Sequence, residues 1–434
     1  MKLKDYVEIN PPVKLNKNFE YPFVEMKNIE SFKKTVQSIN NRKFTGSGSK
    51  FINGDTLLAR ITPCLQNGKT SRYKGSNESP AWGSTEFIIL RGKENFTDNN
   101  FVYYLCISDE FRKYAIKNMI GTSGRQRVPN DQIGEFEFEF PNLSTQKSIA
   151  HILGTLDDKI EINQKENETL EEIAKTLFKS WFIKFDPVKV KKKSTSTELP
   201  REVSDLFPDS FKNFQLGEVP EGWVLTKLGE ILSFLGSGNR PKGGASISEN
   251  QIPSIGAENI NFLGNYRYSK EKYVPLEFFK KLKEKNLDIR DYDILIYKDG
   301  ANIGKSTIFG KGFPHKLCTI NEHAFVLRTN NHLQKFLYFY LSSSKSQDDL
   351  ISLNTGTAQP GINQASLKNL DIFIPPKIVL EKFDLIVSPM IDKIFNNCLS
   401  NNILSELRDT LLPKLISQEL NFVDAKKLVD KVGA

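Results

Sequence analysis

Asp158-Lys159-Ile160 recurs as Asp392-Lys393-Ile394, an offset of 234 residues, and most of what this chain can become follows from that repeat. The same offset carries Ile133, Phe136, Phe138, Phe140 and Pro141 onto Leu367, Leu370, Ile372, Ile374 and Pro375. It also carries Leu170 and Leu177 onto Leu404 and Leu411. A chain of two similar halves behaves as a dimer with pseudo-twofold symmetry and suits a two-part, roughly symmetric target. Duplex DNA is such a target.

Upstream the copies drift. Lys2-Leu3-Lys4-Asp5-Tyr6 lies against Lys227-Leu228-Gly229-Glu230-Ile231, Gly54-Asp55-Thr56-Leu57-Leu58 against Asp291-Tyr292-Asp293-Ile294-Leu295, and Gly68-Lys69-Thr70 against Gly304-Lys305-Ser306. Each unit therefore has a variable head on a constant stem. The heads, residues 1–143 and 219–377, read as mixed α/β. Thr56–Ile61, Glu86–Arg91 and Glu135–Phe140 have strand character, and the last alternates Glu with Phe as a half-buried strand does until Pro141 stops it. Phe101–Lys117 has loosely helical spacing, repeated by Phe336–Leu341.

The stems change period. Ile149, Leu153, Leu156, Ile160, Asn163, Asn167, Leu170, Ala174, Leu177 and Trp181 step alternately by four and three, the a/d seam of a coiled coil. The second copy repeats the seam as Phe383, Val387, Met390, Ile394, Asn397, Asn401, Leu404, Arg408, Leu411 and Leu415. Arg408 is the exception, with Leu407 beside it as a substitute. Residues 144–185 and 378–420 are thus two long helices, each about 55 Å, expected to pair as an antiparallel coiled coil. In that pairing Asn163, Asn167, Asn397 and Asn401 meet and fix register at some cost in stability; the alternative is that they face solvent. Residues 186–218, with their prolines and the run Lys189, Lys191, Lys192, Lys193, read as a linker, and residues 421–434 as an amphipathic tail.

Cys64, Cys106, Cys318 and Cys398 are scattered without CxxC spacing, and neither a leader nor a long apolar run is present, which points to a reducing cytoplasm and no membrane. Sixty Lys and Arg against 52 Asp and Glu give a net charge of +8, compatible with a polyanionic partner without requiring one.

At this point the chain resembles the specificity subunit of type I restriction-modification systems. The resemblance rests on the opening Val219-Pro220-Glu221-Gly222-Trp223 followed by Lys227-Leu228-Gly229-Glu230. It rests also on heads that end in Phe138-Glu139-Phe140-Pro141 or Ile372-Phe373-Ile374-Pro375-Pro376, each running directly into a long helix. It covers Leu3 to Leu420. The first head departs from it in lacking the Pro-x-Gly-Trp opening, and the basic linker is longer than the join between helices requires. The resemblance implies a non-catalytic subunit whose heads are target recognition domains, each reading one half of a bipartite, gapped double-stranded DNA sequence. The helices would space the heads and dock two methyltransferase subunits, with restriction subunits joining. No cofactor would belong to this chain; S-adenosylmethionine, ATP and magnesium would serve the partners.

Base reading needs Arg, Lys, Asn, Gln, Ser or Thr on loops. The first head offers Thr122, Ser123, Arg125, Gln126 and Arg127, and the second Thr357 and Gln359, with Gln126 and Gln359 as equivalents; the alternative is a plain polar loop. Lys69, Ser71 and Arg72, with Lys305 and Ser306, suit turns that hold phosphates or ordinary surface turns. Arg240 and Lys242 lie in a glycine-rich loop where backbone can approach a groove.

Three other chemistries fail on spacing or residue identity. Gly300 to Thr307 imitates a phosphate-binding loop but has three residues between its glycines where four are needed. Asn10-Pro11-Pro12-Val13 resembles the amino-methyltransferase signature, yet Val13 stands where an aromatic would stack on a flipped base, which argues against a self-contained methyltransferase. His151, His315, His323 and His332 make no metal-ligand pattern. A coiled-coil adaptor that binds only proteins accounts for the stems but gives no reason for two divergent, loop-rich heads.

Overall fold

The computed structural model describes residues 1–434 except 37–38, 76–79, 193–198, 215–216, 247–250, 257, 262, 331, 354–360 and 434. The chain forms two compact units: residues 1–161 with 402–434, and residues 162–401.

In the first unit, β1 (Val7–Ile9), β2 (Thr56–Ala59), β3 (Thr70–Arg72) and β4 (Phe87–Gly92) form an antiparallel sheet in the order β1-β4-β2-β3. In the second, β5 (Leu232–Ser237), β6 (Ile294–Tyr297), β7 (Ser306–Ile308) and β8 (Ala324–Thr329) form an antiparallel sheet in the order β5-β8-β6-β7. The permutation is the same. One polar device recurs with it. Asp55, fully buried, accepts from the Ile52 N–H and receives Nε and Nη2 of Arg91, both at 2.7 Å. Asp293, also buried, accepts from the Arg290 N–H and receives Nε and Nη2 of Arg328, both at 2.7 Å. In each unit the aspartate closes the turn into the central strand and clamps the neighbouring strand by a bidentate pair. This explains why the Asp55 and Asp293 segments align although little around them does.

The helical stretch after β4 breaks at Ser108 into Asn99–Ile107 and Asp109–Lys117, and Ser108 caps the second helix by accepting from Phe111 N–H. Ser343 does the same between Leu333–Ser342 and Ser344–Ser352, accepting from Ser346 N–H. The alternating Glu135–Phe140 segment keeps its alternation, with Phe136, Phe138 and Phe140 buried, but its ladder shrinks to one bridge between Glu137 and Lys2. Its counterpart Asp371–Ile374 is a strand paired with Val224–Lys227.

The stems are α1 (Leu143–Phe178), continued by a π-turn over Lys179–Ile183, and α2 (Lys377–Ile416). Phe185, in the left-handed region at φ 56°, ends the first helix, and Pro187 opens the next short one. Within the second unit the two helices run antiparallel. Asn163 Nδ2 donates to Asn401 Oδ1 and Asn397 Nδ2 to Asn167 Oδ1, both at 2.8 Å, so the seam asparagines meet one another. In the first unit Arg408 keeps its seam place. It is buried and donates to Asp157 at 2.7 Å, so Leu407 does not replace it.

The repeated Asp-Lys-Ile motif gains a physical reason here. Asp158 on α1 accepts from Lys34 of its unit at 2.7 Å, and Asp392 on α2 accepts from the Tyr292 hydroxyl and lies 3.9 Å from Lys311. In both units this aspartate ties head to helix.

One expectation needs correction. The stretch read as a linker carries the helices Asp186–Lys191 and Arg201–Ser204 and the hairpin Phe211–Phe214 with Gly217–Pro220. Val188 and Phe207 from it are buried in the second unit's core, as is Val219 just after it. These apolar residues are too sparse to make a period, yet each is inserted. The tail forms α3 (Phe422–Lys431), whose Ala425 and Val429 complete the first unit's core.

Candidate nucleic-acid interface

The segment from Ile120 to Arg127 folds back on itself, each residue donating its N–H to the other's carbonyl at 2.9 Å. Thr122, Ser123 and Arg125 are exposed at its tip, while Gln126 and Arg127 are half-buried at its base. Arg127 sets Nε at 3.0 Å and Nη2 at 2.7 Å from Glu86, the residue that enters β4. That carboxylate raises the pKa of Arg127, so the fork stays charged. Gln126 carbonyl accepts from Thr62 N–H and Val128 N–H donates to Arg60 carbonyl, pinning the loop to the end of β2.

In the second unit Ile362 N–H donates to Lys298 carbonyl just as Val128 does to Arg60. Arg127 therefore matches Gly361, and the sequence equivalent of Gln126 is Pro360 rather than Gln359. Thr357 and Gln359 lie outside the described residues. Arg240 and Lys242 are both exposed, and Arg240 Nη2 is 2.5 Å from Glu322 Oε1. Gly243 and Gly244 follow at φ 89° and 87°, a backbone that side chains disfavour. The cleft beside Arg240 and Glu322 holds about 10 Å³, room for a single water and too little for a nucleotide.

The Lys69 and Lys305 groups are placed otherwise than expected. Ser71 is fully buried in β3, its hydroxyl donating to Lys33 carbonyl at 2.7 Å. Arg72 turns inward onto Gly54 carbonyl and Asn100, and burial lowers its pKa. Lys69 donates to Met26 carbonyl at 2.9 Å. Ser306, in β7, shares a hydrogen bond with Ser342 at 3.1 Å, and half-buried Lys305 has its pKa lowered by burial and then by Arg267. In both copies the Gly-Lys-Ser/Thr stretch is the start of an edge strand held by neighbouring backbone and side chains, not an open phosphate turn. His315 pairs with Glu271, and His323 with Asp299 at 2.9 Å.

A family model described as the type I restriction modification DNA specificity domain matches residues 1–172 and again residues 220–386. The chain belongs to that family. Among its relatives, the type I restriction enzyme MjaIX specificity subunit of Methanocaldococcus jannaschii is 27% identical, over 96% of this chain and 92% of that one. The HindI specificity subunit of Haemophilus influenzae is 27% identical, over 88% of this chain and 90% of its own. Among solved structures, the type I restriction-modification S subunit from M. genitalium covers 96% of this chain and 95% of its own at 16% identity and a TM-score of 0.55, a likeness of fold.

Each specificity domain thus presents one arginine in a salt bridge with a glutamate at the entry of the equivalent strand, β4 or β8. Sequence reasoning found Arg127 and Arg240 but missed Glu86 and Glu322. The available signal was a glutamate one or two residues before a β-rich run in both copies, Glu86-Phe87 and Glu322-His323-Ala324.

Proposed function

We propose that this chain is the DNA-recognition subunit of a type I restriction-modification complex, reading a bipartite, gapped target in double-stranded DNA with one half-site per unit. The observation that supports this best is duplication with divergence. One framework, sheet order and buried Asp-Arg clamp included, is built twice, while the exposed polar loops on it differ. A reader of two unlike half-sites needs that combination, because shared geometry positions and unlike side chains specify. In this reading the chain performs no chemistry. Methyl transfer and cleavage, with their S-adenosylmethionine, ATP and magnesium, belong to methyltransferase and restriction subunits, two of the former docking on the helices.

The test is to co-express the chain with a candidate methyltransferase subunit from the same genome and to map methylated adenines in host DNA by sequencing. A two-part gapped motif that changes on one side when the first head is exchanged is the expected result. A single ungapped motif, or methylation indifferent to this chain, overturns the reading. In that event duplex binding without steep salt dependence leaves the protein-only adaptor.

A further inference from the structure

We propose that Arg127 and Arg240 each read a guanine, one in each half-site, and that Glu86 and Glu322 are positioning residues that fix the two guanidinium forks. This rests on the DNA-recognition reading above.

The argument begins with position. Glu86 immediately precedes β4 (Phe87–Gly92) and Glu322 precedes β8 (Ala324–Thr329) by two residues, and these are equivalent strands of equivalent sheets. The residues were not copied from one half to the other. At the offset of this strand, 237, Glu86 matches His323 and Glu322 matches Thr85, and the arginines come from different segments altogether. The same end of the same strand carries a carboxylate-held arginine in both units by separate routes.

Geometry narrows the role. Arg127 has Nε and Nη2 on Glu86, and its Nη1 donates to the Arg125 carbonyl at 3.3 Å, the longest of its contacts and the one a base would replace. Arg240 meets Glu322 Oε1 through Nη2, and the same oxygen lies 3.3 Å from His323 Nε2. Their side chains remain 43% and 46% exposed, so both guanidinium groups stay reachable from solvent while ion-paired. The backbone beneath them is fixed as well. Arg127 sits in the reciprocal bridge with Ile120. Arg240 follows Gly238 by two residues, and a Cβ at Gly238 would stand 2.2 Å from the carbonyls of Ile320 and Asn321, so only glycine lets that loop seat on the sheet.

Chemistry then selects the ligand. A guanidinium fork held in one plane matches O6 and N7 of guanine in the major groove, the pairing a planar bidentate donor makes best. A phosphate also accepts a bidentate fork, so the salt slope of binding separates a base contact from a backbone contact. Holding the arginine in advance removes the rotamer freedom that binding would otherwise freeze.

The experiment is methylation mapping on the complete complex carrying Arg127→Ala, Arg127→Lys, Arg240→Ala, Glu86→Gln or Glu322→Gln. The alanine variants are expected to relax one guanine position each, Arg127 in one half-site and Arg240 in the other, with roughly 5- to 150-fold loss of discrimination there. Arg127→Lys keeps the charge and still relaxes that position. The glutamine variants keep the motif and weaken discrimination at the same position. Purified complexes give the second measurement. For a base contact the salt slope of duplex binding stays the same in Arg127→Ala, whereas loss of a phosphate contact lowers it by about one. Uniform weakening at all sequences with a reduced slope, or methylation and binding unchanged because the pairs are ordinary surface salt bridges, overturns the proposal. If the unaltered complex yields no two-part motif, the functional reading itself fails and this assignment with it.

Discussion

At one point along the seam the two units solve the same packing problem with opposite chemistry. In the first, buried Asp157 accepts from the Tyr104 hydroxyl at 2.7 Å and from Arg408 at 2.7 Å, and Arg408 also reaches Asp409 at 2.8 Å. The repeat maps Asp157 onto Ile391, Arg408 onto Ala174 and, through the shared serine caps, Tyr104 onto Phe339. All three are buried in the second unit's core. A polar trio, two of its members charged, and an apolar trio thus occupy corresponding places in the repeat. The difference teaches that seam geometry does not demand polarity. What polarity introduces is dependence, since each buried charge requires the other.

That comparison can be broken directly. Arg408→Ala strands Asp157 in the core and is expected to cost about 3–5 kcal/mol, read as a fall in the urea midpoint. Installing the second unit's solution, Tyr104→Phe with Asp157→Ile and Arg408→Ala, should recover most of it, leaving a deficit under about 1.5 kcal/mol. A triple variant as weak as the single one would show that the units are not interchangeable there. The next effect is at the middle of the seam. Asn397→Ala removes the donor shared by Asn167 and Glu166 and should cost about 1–3 kcal/mol. Leucine at Asn163 and Asn401 together should be near neutral, because both partners leave at once. Hydrogen exchange along the helices checks whether register survives.

Smaller effects separate the two ties between head and helix. Asp392 serves Tyr292 in a half-buried setting, so Asp392→Asn should cost about 1 kcal/mol. Asp158, 63% exposed, holds Lys34, whose side chain is 14% exposed, and Asp158→Asn should cost about 0–1 kcal/mol. Equal losses would contradict the asymmetry. The smallest expectation concerns acid. Hydrogen bonds from Lys2 and then Lys4 hold the exposed Glu135 carboxyl down at about 2. A depressed carboxylate stabilises above its ordinary value, near 4.5, and that contribution fades as pH falls toward 2. Glu135→Gln should lower stability slightly at neutral pH and converge with the parent as pH falls toward 2, flattening this part of the acid limb, as a pH series of unfolding midpoints would record.

The stems were legible in the sequence because a seam repeats over many turns, so its period survives single exceptions such as Arg408. The sheets were legible at the aspartates, where a buried side chain closes a turn and leaves a fixed spacing. The former linker was not, because Val188 and Phe207 are lone insertions without periodicity. The site was half legible. Arginines in glycine-rich or polar loops stand out, whereas Glu86 and Glu322 gain meaning only when folding brings them beside Arg127 and Arg240. Lys69, Ser71 and Arg72 misled because a short edge strand that begins directly after Gly68 looks like a turn, and Ser71 is drawn inside by the Lys33 carbonyl.

The first unit contains residues 402–434, whereas the second is a single continuous stretch. On the ribosome the head that emerges first is therefore finished last. Residues 162–401 must be translated between its two portions. At about 5–20 residues per second that interval is roughly 10–50 s. Throughout it the apolar stripe of Ile149, Leu153 and Leu156 lacks Leu404, Leu411 and Leu415, the residues that share its core in the finished unit.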